Sequence, residues 1–213
     1  IAGAGSGKTR VIEYRVLHMI QQSVAPQEIL LLTFTRKAAQ QMLTRGARND
    51  VRCGLVDGGT FHSFAYKTLK MYSRHVGFDT FAIIDESDAD DAIGLCLGKI
   101  GFNSKDKRFP RKDTLRKIVS MSVNKSQSLE EVLEKEYPHF LEFAAEIEKV
   151  KAAYSRYKME KGYFDYDDLL IYLRLLLTRN ESIRSALAQK YRYIMVDEYQ
   201  DTNRLQADIT FLL

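Results

Sequence analysis

Two groups of residues far apart in this chain have the types and spacing to act on a triphosphate. Ala2-Gly3-Ala4-Gly5-Ser6-Gly7-Lys8-Thr9 has the spacing of a phosphate-binding loop, with Ala2 where the first glycine often stands. Glycines there let backbone N–H groups turn inward around phosphates, and the helix starting near Lys8 adds its positive dipole end. Lys8 would reach the β- and γ-phosphates, and the Thr9 hydroxyl would bind Mg²⁺. At the other end, Tyr193-Ile194-Met195-Val196-Asp197-Glu198 reads as a buried strand ending in two acids. Asp197 suits the Mg²⁺ shell, through water, and Glu198 suits polarising an attacking water. An acidic pair after a strand is, taken alone, an ordinary surface turn; the distant phosphate loop gives this one its meaning. The chemistry implied is hydrolysis of a nucleoside triphosphate. Such a loop normally follows a strand, of which only Ile1 is present, so the chain reads as a piece of something longer.

Elements must bring these ends together. The periodicity predicts a helix from about Lys8 to Gln21, broken before Pro26. Ile29-Leu30-Leu31-Leu32-Thr33-Phe34 is a continuous apolar run, the mark of a strand buried on both faces. Thr35 then fits a helix N-cap, with Ala38, Ala39, Met42 and Leu43 on the helix that follows. A Gly-rich passage, Asp57-Gly58-Gly59, leads to Thr60 and a helix through about Tyr72. Strand–helix alternation of this kind implies a parallel sheet. The texture changes after Gly77. Helical patterns dominate to about Ala188, with Phe81-Ala82-Ile83-Ile84 the one short strand expected there. Ile147, Val150, Tyr154 and Tyr157 repeat at helical spacing up to a stop at Gly162. Asp165 opens an apolar helix, Tyr166 to Leu177, and Asp165 with Asp168 has capping-box spacing, so no catalysis is assigned to them. The simplest topology is an α/β domain, residues 1–77 and 189–213, interrupted by a helical insertion at 78–188.

Composition narrows the class. Hydrophobic residues at 45% and charged residues at 28% are ordinary for a globular chain that buries a core. The net charge of +4 permits a polyanionic partner without requiring one. Cys53 and Cys96 stand in no metal or redox spacing and read as reduced thiols of a cytoplasmic protein. No apolar run approaches the roughly 20 residues of a membrane span.

Asp197-Glu198-Tyr199-Gln200-Asp201-Thr202-Asn203 closely resembles motif II of the UvrD/Rep-like DNA helicases of superfamily 1A. Four further landmarks follow the order of that family. Ala2 to Thr9 resembles motif I, and Leu32 to Ala39 motif Ia. Gly59-Thr60-Phe61-His62-Ser63-Phe64 resembles motif Ib, and Phe164 to Leu170 the short acidic motif near the end of the inserted 1B domain. The resemblance implies a RecA-like P-loop NTPase sheet, domain 1A, interrupted by helical domain 1B. It implies an ATP-driven motor moving 3′ to 5′ on single-stranded DNA and unwinding duplex in replication or repair, with ATP and Mg²⁺ as cofactors. Lys8, Glu198 and Gln200 would form the catalytic set, Ala2 to Thr9 would hold the nucleotide, and Thr9 and Asp197 the metal. Phe34, Thr35, Arg36, Thr60 and His62 match positions lining the single strand. Arg36 departs from the family, which usually has Asn there. A second RecA-like domain and an adenine-contacting segment belong to the family pattern outside these residues, so the chain alone is expected to hydrolyse ATP feebly. The same domain pair also occurs in helicase–nucleases, and a nucleic-acid-binding module without turnover is a further alternative; intact Lys8, Thr9, Asp197 and Glu198 argue against the latter.

One segment concentrates charge. Lys99 to Lys117 holds eight Lys/Arg against Asp106 and Asp113, with Phe102 and Phe109 interleaved. Two readings compete: a surface meeting the duplex junction ahead of the motor, or a solvated face balanced by the acidic run Asp85 to Asp91.

Overall fold

The structure is a computed structural model that describes residues 7–101 and 108–213, the Lys8 side chain excepted. It divides into two compact units. The first comprises Ile1–Met71, Leu173–Thr202 and Gln206–Leu213; the second comprises Tyr72–Tyr172 with Asn203–Leu205.

The first unit is α/β. Helix α1 (Lys8–Gln21) is followed by strand β1 (Ile29–Thr33), helix α2 (Arg36–Ala47), strand β2 (Asp57–Thr60) and helix α3 (Phe61–Tyr72). Every residue of β1 is buried, as expected of a strand covered on both faces. The predicted strand is one residue too long, because Phe34 turns outward and is 44% exposed. The Gly-rich passage that leads to Thr60 and α3 forms strand β2, which the sequence pattern did not mark as a strand. Glycine is depleted in strands, so pattern reading passes over it. The reason for glycine is close approach: a Cβ on Gly59 would run into Ser63 Oγ. Val16 and Ile20 of α1 and Met42 of α2 pack with Ile29, Leu31 and Met195 in one core, which also takes in Cys53 and Val56.

The second unit is mostly helical. Strand β3 (Ala82–Ile83) precedes helices α4 (Glu86–Lys99), α5 (Lys112–Lys125), α6 (Leu129–Glu136) and α7 (Ala144–Lys161). Strand β4 (Tyr163–Phe164) and helix α8 (Tyr166–Arg179) follow. Its core is built from Ile93 and Cys96 of α4, Leu115 and Ile118 of α5, Val132 and Leu133 of α6, and Ile147 and Val150 of α7. β3 and β4 pair in parallel, Ala82 with Tyr163 and Ile83 with Phe164. Two residues give too short a pattern for β4 to be read from sequence. What fixes it is aromatic packing: Phe164 stacks on Phe81 at 4.3 Å and on Tyr172 at 4.5 Å, with Phe78 edge-on at 4.8 Å.

The chain re-enters the first unit at Leu173, within α8, and continues through helix α9 (Glu181–Lys190) and strand β5 (Tyr193–Val196) to helix α10 (Arg204–Leu212), which belongs to the first unit from Gln206 on. The sheet order is β2–β1–β5, all parallel, with Thr33 beside Thr60 and Leu32 beside Val196. Among the described residues, no helix is long and apolar enough to cross a membrane. Cys53 and Cys96 are free and buried, and burial pushes both thiols up.

Candidate nucleotide and nucleic-acid site

In a parallel sheet all strands end at one edge, and crevices at that carboxyl edge are where open α/β sheets bind ligands. Here β1 ends at Thr33, β2 at Thr60 and β5 at Val196, so the segments that follow emerge side by side. The structure thereby gathers Phe34, Thr35 and Arg36, then Thr60 and His62, then Asp197, Glu198 and Gln200. Residues drawn from positions 34 to 200 share one rim because of strand register alone.

The acids are held tightly. The Asp197 N–H donates to Leu32 O at 2.9 Å, extending the ladder one step past Val196, and Asp197 is buried. Glu198 adopts a left-handed backbone, φ 50 and ψ 44, which is strained for a residue with a Cβ. A single 3-10 turn, Tyr199–Asp201, follows, closed by the Asp201 N–H to Glu198 O at 2.9 Å and the Thr202 hydroxyl to Tyr199 O at 2.7 Å. Gln200 Nε2 donates to the Glu198 carboxylate and to Asp201 Oδ2. Glu198 is thus aimed by both its backbone and its neighbour.

The other rim residues are helix starts. Thr35 caps α2, its hydroxyl accepting from the Ala38 N–H at 3.1 Å. The buried Thr33 hydroxyl donates to Thr35 O at 2.8 Å. Arg36 is exposed. At α3, the Ser63 N–H donates to Thr60 Oγ1 and the Thr60 N–H donates to Ser63 Oγ, at 3.1 and 2.9 Å. Ser63 is a positioning residue that sequence reasoning missed, although Thr-x-x-Ser spacing is a capping-box variant. These caps leave helix N-termini pointing at the rim, where backbone N–H groups favour phosphate. Phe34, largely exposed at the same rim, is available to stack on a base rather than fill the core.

Of the phosphate loop, Ala2, Gly3, Ala4, Gly5, Ser6 and the Lys8 side chain lie outside the described residues. Gly7 has φ 85, a conformation that disfavours any side chain, and α1 starts immediately after it. Thr9 is half-buried in the first turn of α1. A buried carboxylate at 197 and a hydroxyl at 9 are hard oxygen donors of the kind Mg²⁺ prefers, so the residues present fit that ion.

The acidic segment after β4 is of another kind. Asp165 and Asp168 form the predicted reciprocal cap, each N–H donating to the other carboxylate at 3.0 Å. Both carboxylates also accept from the buried Lys158 ammonium at 2.6 Å, and Tyr154 donates to Asp165 at 2.9 Å. Burial opposes ionisation of Asp165, but Lys158 outweighs it and holds that carboxyl below its usual range. Burial, then the charge of Asp165, pushes Asp168 up to about 7. Beside them, Asn124 on α5 donates from Nδ2 to Asp167 Oδ1 at 2.8 Å and accepts at Oδ1 from Asn203 Nδ2 at 2.6 Å.

The basic segment is largely neutralised where it is described. Lys112 pairs with Asp91 at 2.5 Å, Arg116 with Glu86 and Asp90 at 2.8 Å, and Arg108 with Glu142 at 3.4 Å. At Lys112 and Arg116 this is the balanced face rather than an open phosphate-binding surface. Phe109 is buried in the core of the second unit, not displayed. Phe102, Lys105 and Lys107 lie outside the described residues.

Over residues 1–213 the chain matches the family described as the UvrD/REP helicase N-terminal domain. It is 35% identical over 213 residues to a probable DNA helicase II homolog of Mycoplasma capricolum, covering 97% of this chain and 29% of that protein. It is 35% identical over 212 residues to DNA helicase II of Rickettsia typhi, covering 97% and 31%. Against ATP-dependent DNA helicase PcrA of Staphylococcus epidermidis it is 31% identical over 216 residues, covering 100% and 29%. The chain therefore spans less than a third of the length of these curated relatives.

Proposed function

Because this chain belongs to the UvrD/REP helicase N-terminal domain family, we propose that it forms the first motor domain of an ATP-driven DNA helicase that moves 3′ to 5′ on single-stranded DNA. The observation that carries the reading is the shared rim: acids suited to triphosphate hydrolysis and an aromatic with two helix caps suited to a DNA strand follow adjacent parallel strands. The β2–β1–β5 sheet is part of a RecA-like sheet, and the helical second unit is the inserted domain.

In this reading the loop Ala2 to Thr9 wraps the phosphates of ATP, and Lys8 neutralises charge on the β- and γ-phosphates. Thr9 and Asp197 would hold Mg²⁺, which would supply positive charge to the phosphates. Glu198, aimed by its left-handed backbone and by Gln200, accepts a proton from the attacking water. Phe34 stacks on a base while Thr35, Arg36, Thr60 and His62 hold backbone phosphates. A second RecA-like domain, supplied by the rest of the parent chain, adds the arginine that such sites use, worth about 10³–10⁵ in rate.

The test is binding of oligo-dT and of Mg–ATP to residues 1–213. Phe34→Ala should weaken oligo-dT by about 1–3 kcal/mol and leave Mg–ATP binding unchanged, while Lys8→Ala should do the reverse. Absence of any oligo-dT or Mg–ATP binding, both here and in the full-length protein, would overturn the assignment.

A further inference from the structure

Strand β1 passes into helix α2 through only two residues, Phe34 and Thr35. The strand side is fixed by its neighbours. Leu32 O accepts the Asp197 N–H at 2.9 Å, and Leu32 and Thr33 stand in register with Gly59 and Thr60 of β2. The helix side is fixed by its cap. Thr35 Oγ1 accepts the Ala38 N–H at 3.1 Å, and Thr35 O accepts the Ala39 N–H at 3.3 Å. Between these anchors stands Phe34, an exposed aromatic at the end of a buried strand.

Thr33 joins the two anchors. It ends a buried aliphatic run, Ile29 to Leu32, and is itself 1% exposed. Valine has the same branched shape and no polar atom to desolvate, so a buried hydroxyl here calls for a reason. That hydroxyl donates to Thr35 O at 2.8 Å, across Phe34. Thr35 O already takes the Ala39 N–H, so it does not need this second bond to be satisfied. What the bond adds is closure of a short ring around the Phe34 backbone. Turning φ or ψ of Phe34 then means breaking a part-buried hydrogen bond. Threonine is β-branched, so its χ1 is restricted and its hydroxyl keeps one direction.

Stacking on a base gains most when the ring is already aimed where the base will lie, because ordering an exposed segment on binding costs entropy. We propose that Thr33 is a positioning residue for DNA: its hydroxyl, bonded to the Thr35 carbonyl across Phe34, holds the backbone that aims the Phe34 ring at a base of the single strand. The proposal rests on the reading of Phe34 as a base-stacking residue. Thr33 is too buried to touch the strand itself, so its whole effect on binding must pass through Phe34.

The test uses the full-length protein and two probes of equal length, oligo-dT and an abasic deoxyribose-phosphate oligomer. Binding is read by fluorescence anisotropy, alongside thermal unfolding. Loss of a whole base stack, as in Phe34→Ala, is worth about 5- to 150-fold in affinity. Thr33→Val keeps the shape and removes the hydroxyl; it should weaken oligo-dT about three- to tenfold, a part of that loss. Binding of the abasic oligomer, which offers phosphates and no base, should stay within about twofold of the parent. Thr33→Ser keeps the hydroxyl and should bind oligo-dT as the parent does. In a Phe34→Ala background, Thr33→Val should cost nothing further, since two residues that act through one contact are not additive. Parent-like oligo-dT binding by Thr33→Val, an equal loss on both probes, an equal loss in Thr33→Ser, or a full further loss in the Phe34→Ala background would each overturn the role. Where Thr33→Val does not fold, Thr33→Ala takes its place and the same outcomes decide. Failure of the functional reading looks different: Phe34→Ala itself would then bind oligo-dT normally, which sinks the reading and the proposal together. Loss in Phe34→Ala without loss in Thr33→Val sinks the proposal alone.

Discussion

Two acidic pairs in this molecule follow short parallel strands, and they have opposite fates. Asp197 and Glu198 come after β5 at the carboxyl edge of a three-stranded sheet, where Gln200 donates to Glu198. Asp165 and Asp168 come after β4 and close on Lys158 and Tyr154. A carboxylate locked onto a buried ammonium at 2.6 Å has its lone pairs committed and its charge cancelled. Glu198 instead sits on a left-handed turn and accepts from the Gln200 amide. What marks the second pair as structural is the buried ammonium it closes on, not the strand before it.

Breaking the first pair should have the largest effect. In the full-length protein, Glu198→Gln is expected to keep ATP binding and lower turnover by about 10²–10⁴, the usual worth of general base catalysis. Steady-state hydrolysis with nucleotide binding measured in parallel checks this; near-normal turnover removes Glu198 from the mechanism.

Breaking the second pair should act on stability instead. Lys158→Met leaves two carboxylates facing each other in a buried site and should cost about 3–5 kcal/mol, as removing one partner of a buried ion pair does. Denaturant unfolding reads this directly. A loss below about 1 kcal/mol would mean the cluster is solvated like a surface pair.

Asp168→Asn sharpens the contrast through pH. The folded state holds a proton on Asp168 up to about 7, whereas the unfolded chain releases it near the ordinary value of 3.8. Across that window the folded state binds more protons, so this group lowers stability as pH rises, by at most about 1.4 kcal/mol per pH unit. Asp165, shifted down, has finished titrating below the window, and Lys158, shifted up, titrates above it. Asp167 is also raised, by burial first, and contributes in the same direction as Asp168. Stability measured from pH 5 to 8 should therefore fall less steeply in Asp168→Asn than in the parent; identical slopes would assign the proton elsewhere.

The smallest effect belongs to the exposed pairs. Lys112→Ala should leave stability essentially unchanged in denaturant unfolding, because exposed ion pairs contribute little. It should leave the salt dependence of binding to a tailed duplex unchanged, because its charge is spent on Asp91. A slope reduced by about 0.9 would restore a phosphate contact to this position.

How much of this was legible in the residues differs from place to place. The stripe Ile147, Val150, Tyr154 predicts α7, and its continuation four residues on is Lys158. A lysine on an apolar stripe is a readable sign of a buried partner, but its partners Asp165 and Asp168 are named only by the fold. Ser63 was readable from spacing; the strand hidden in Asp57-Gly58-Gly59 was not, because its pairing with β1, and not its side chains, makes it a strand. The position of β4 depended on aromatics brought in from Phe78, Phe81 and Tyr172.

The sequence by itself determined the chemistry on offer. Gly-Lys-Thr at residues 7–9, two acids after an apolar strand, and caps at Thr35 and Thr60 are local patterns, and local patterns follow from backbone sterics and hydrogen-bond spacing. Only the tertiary structure decided which charges remain available. The basic run and the acidic run are each visible in the chain. That Arg116 meets Glu86 and Asp90, that Lys158 meets Asp165 and Asp168, and that Asn203 meets Asn124 depend on distances across helices. A charge is a property of a residue, but its cancellation is a property of a pair, and in these cases sequence separation carries no information about which pairs form.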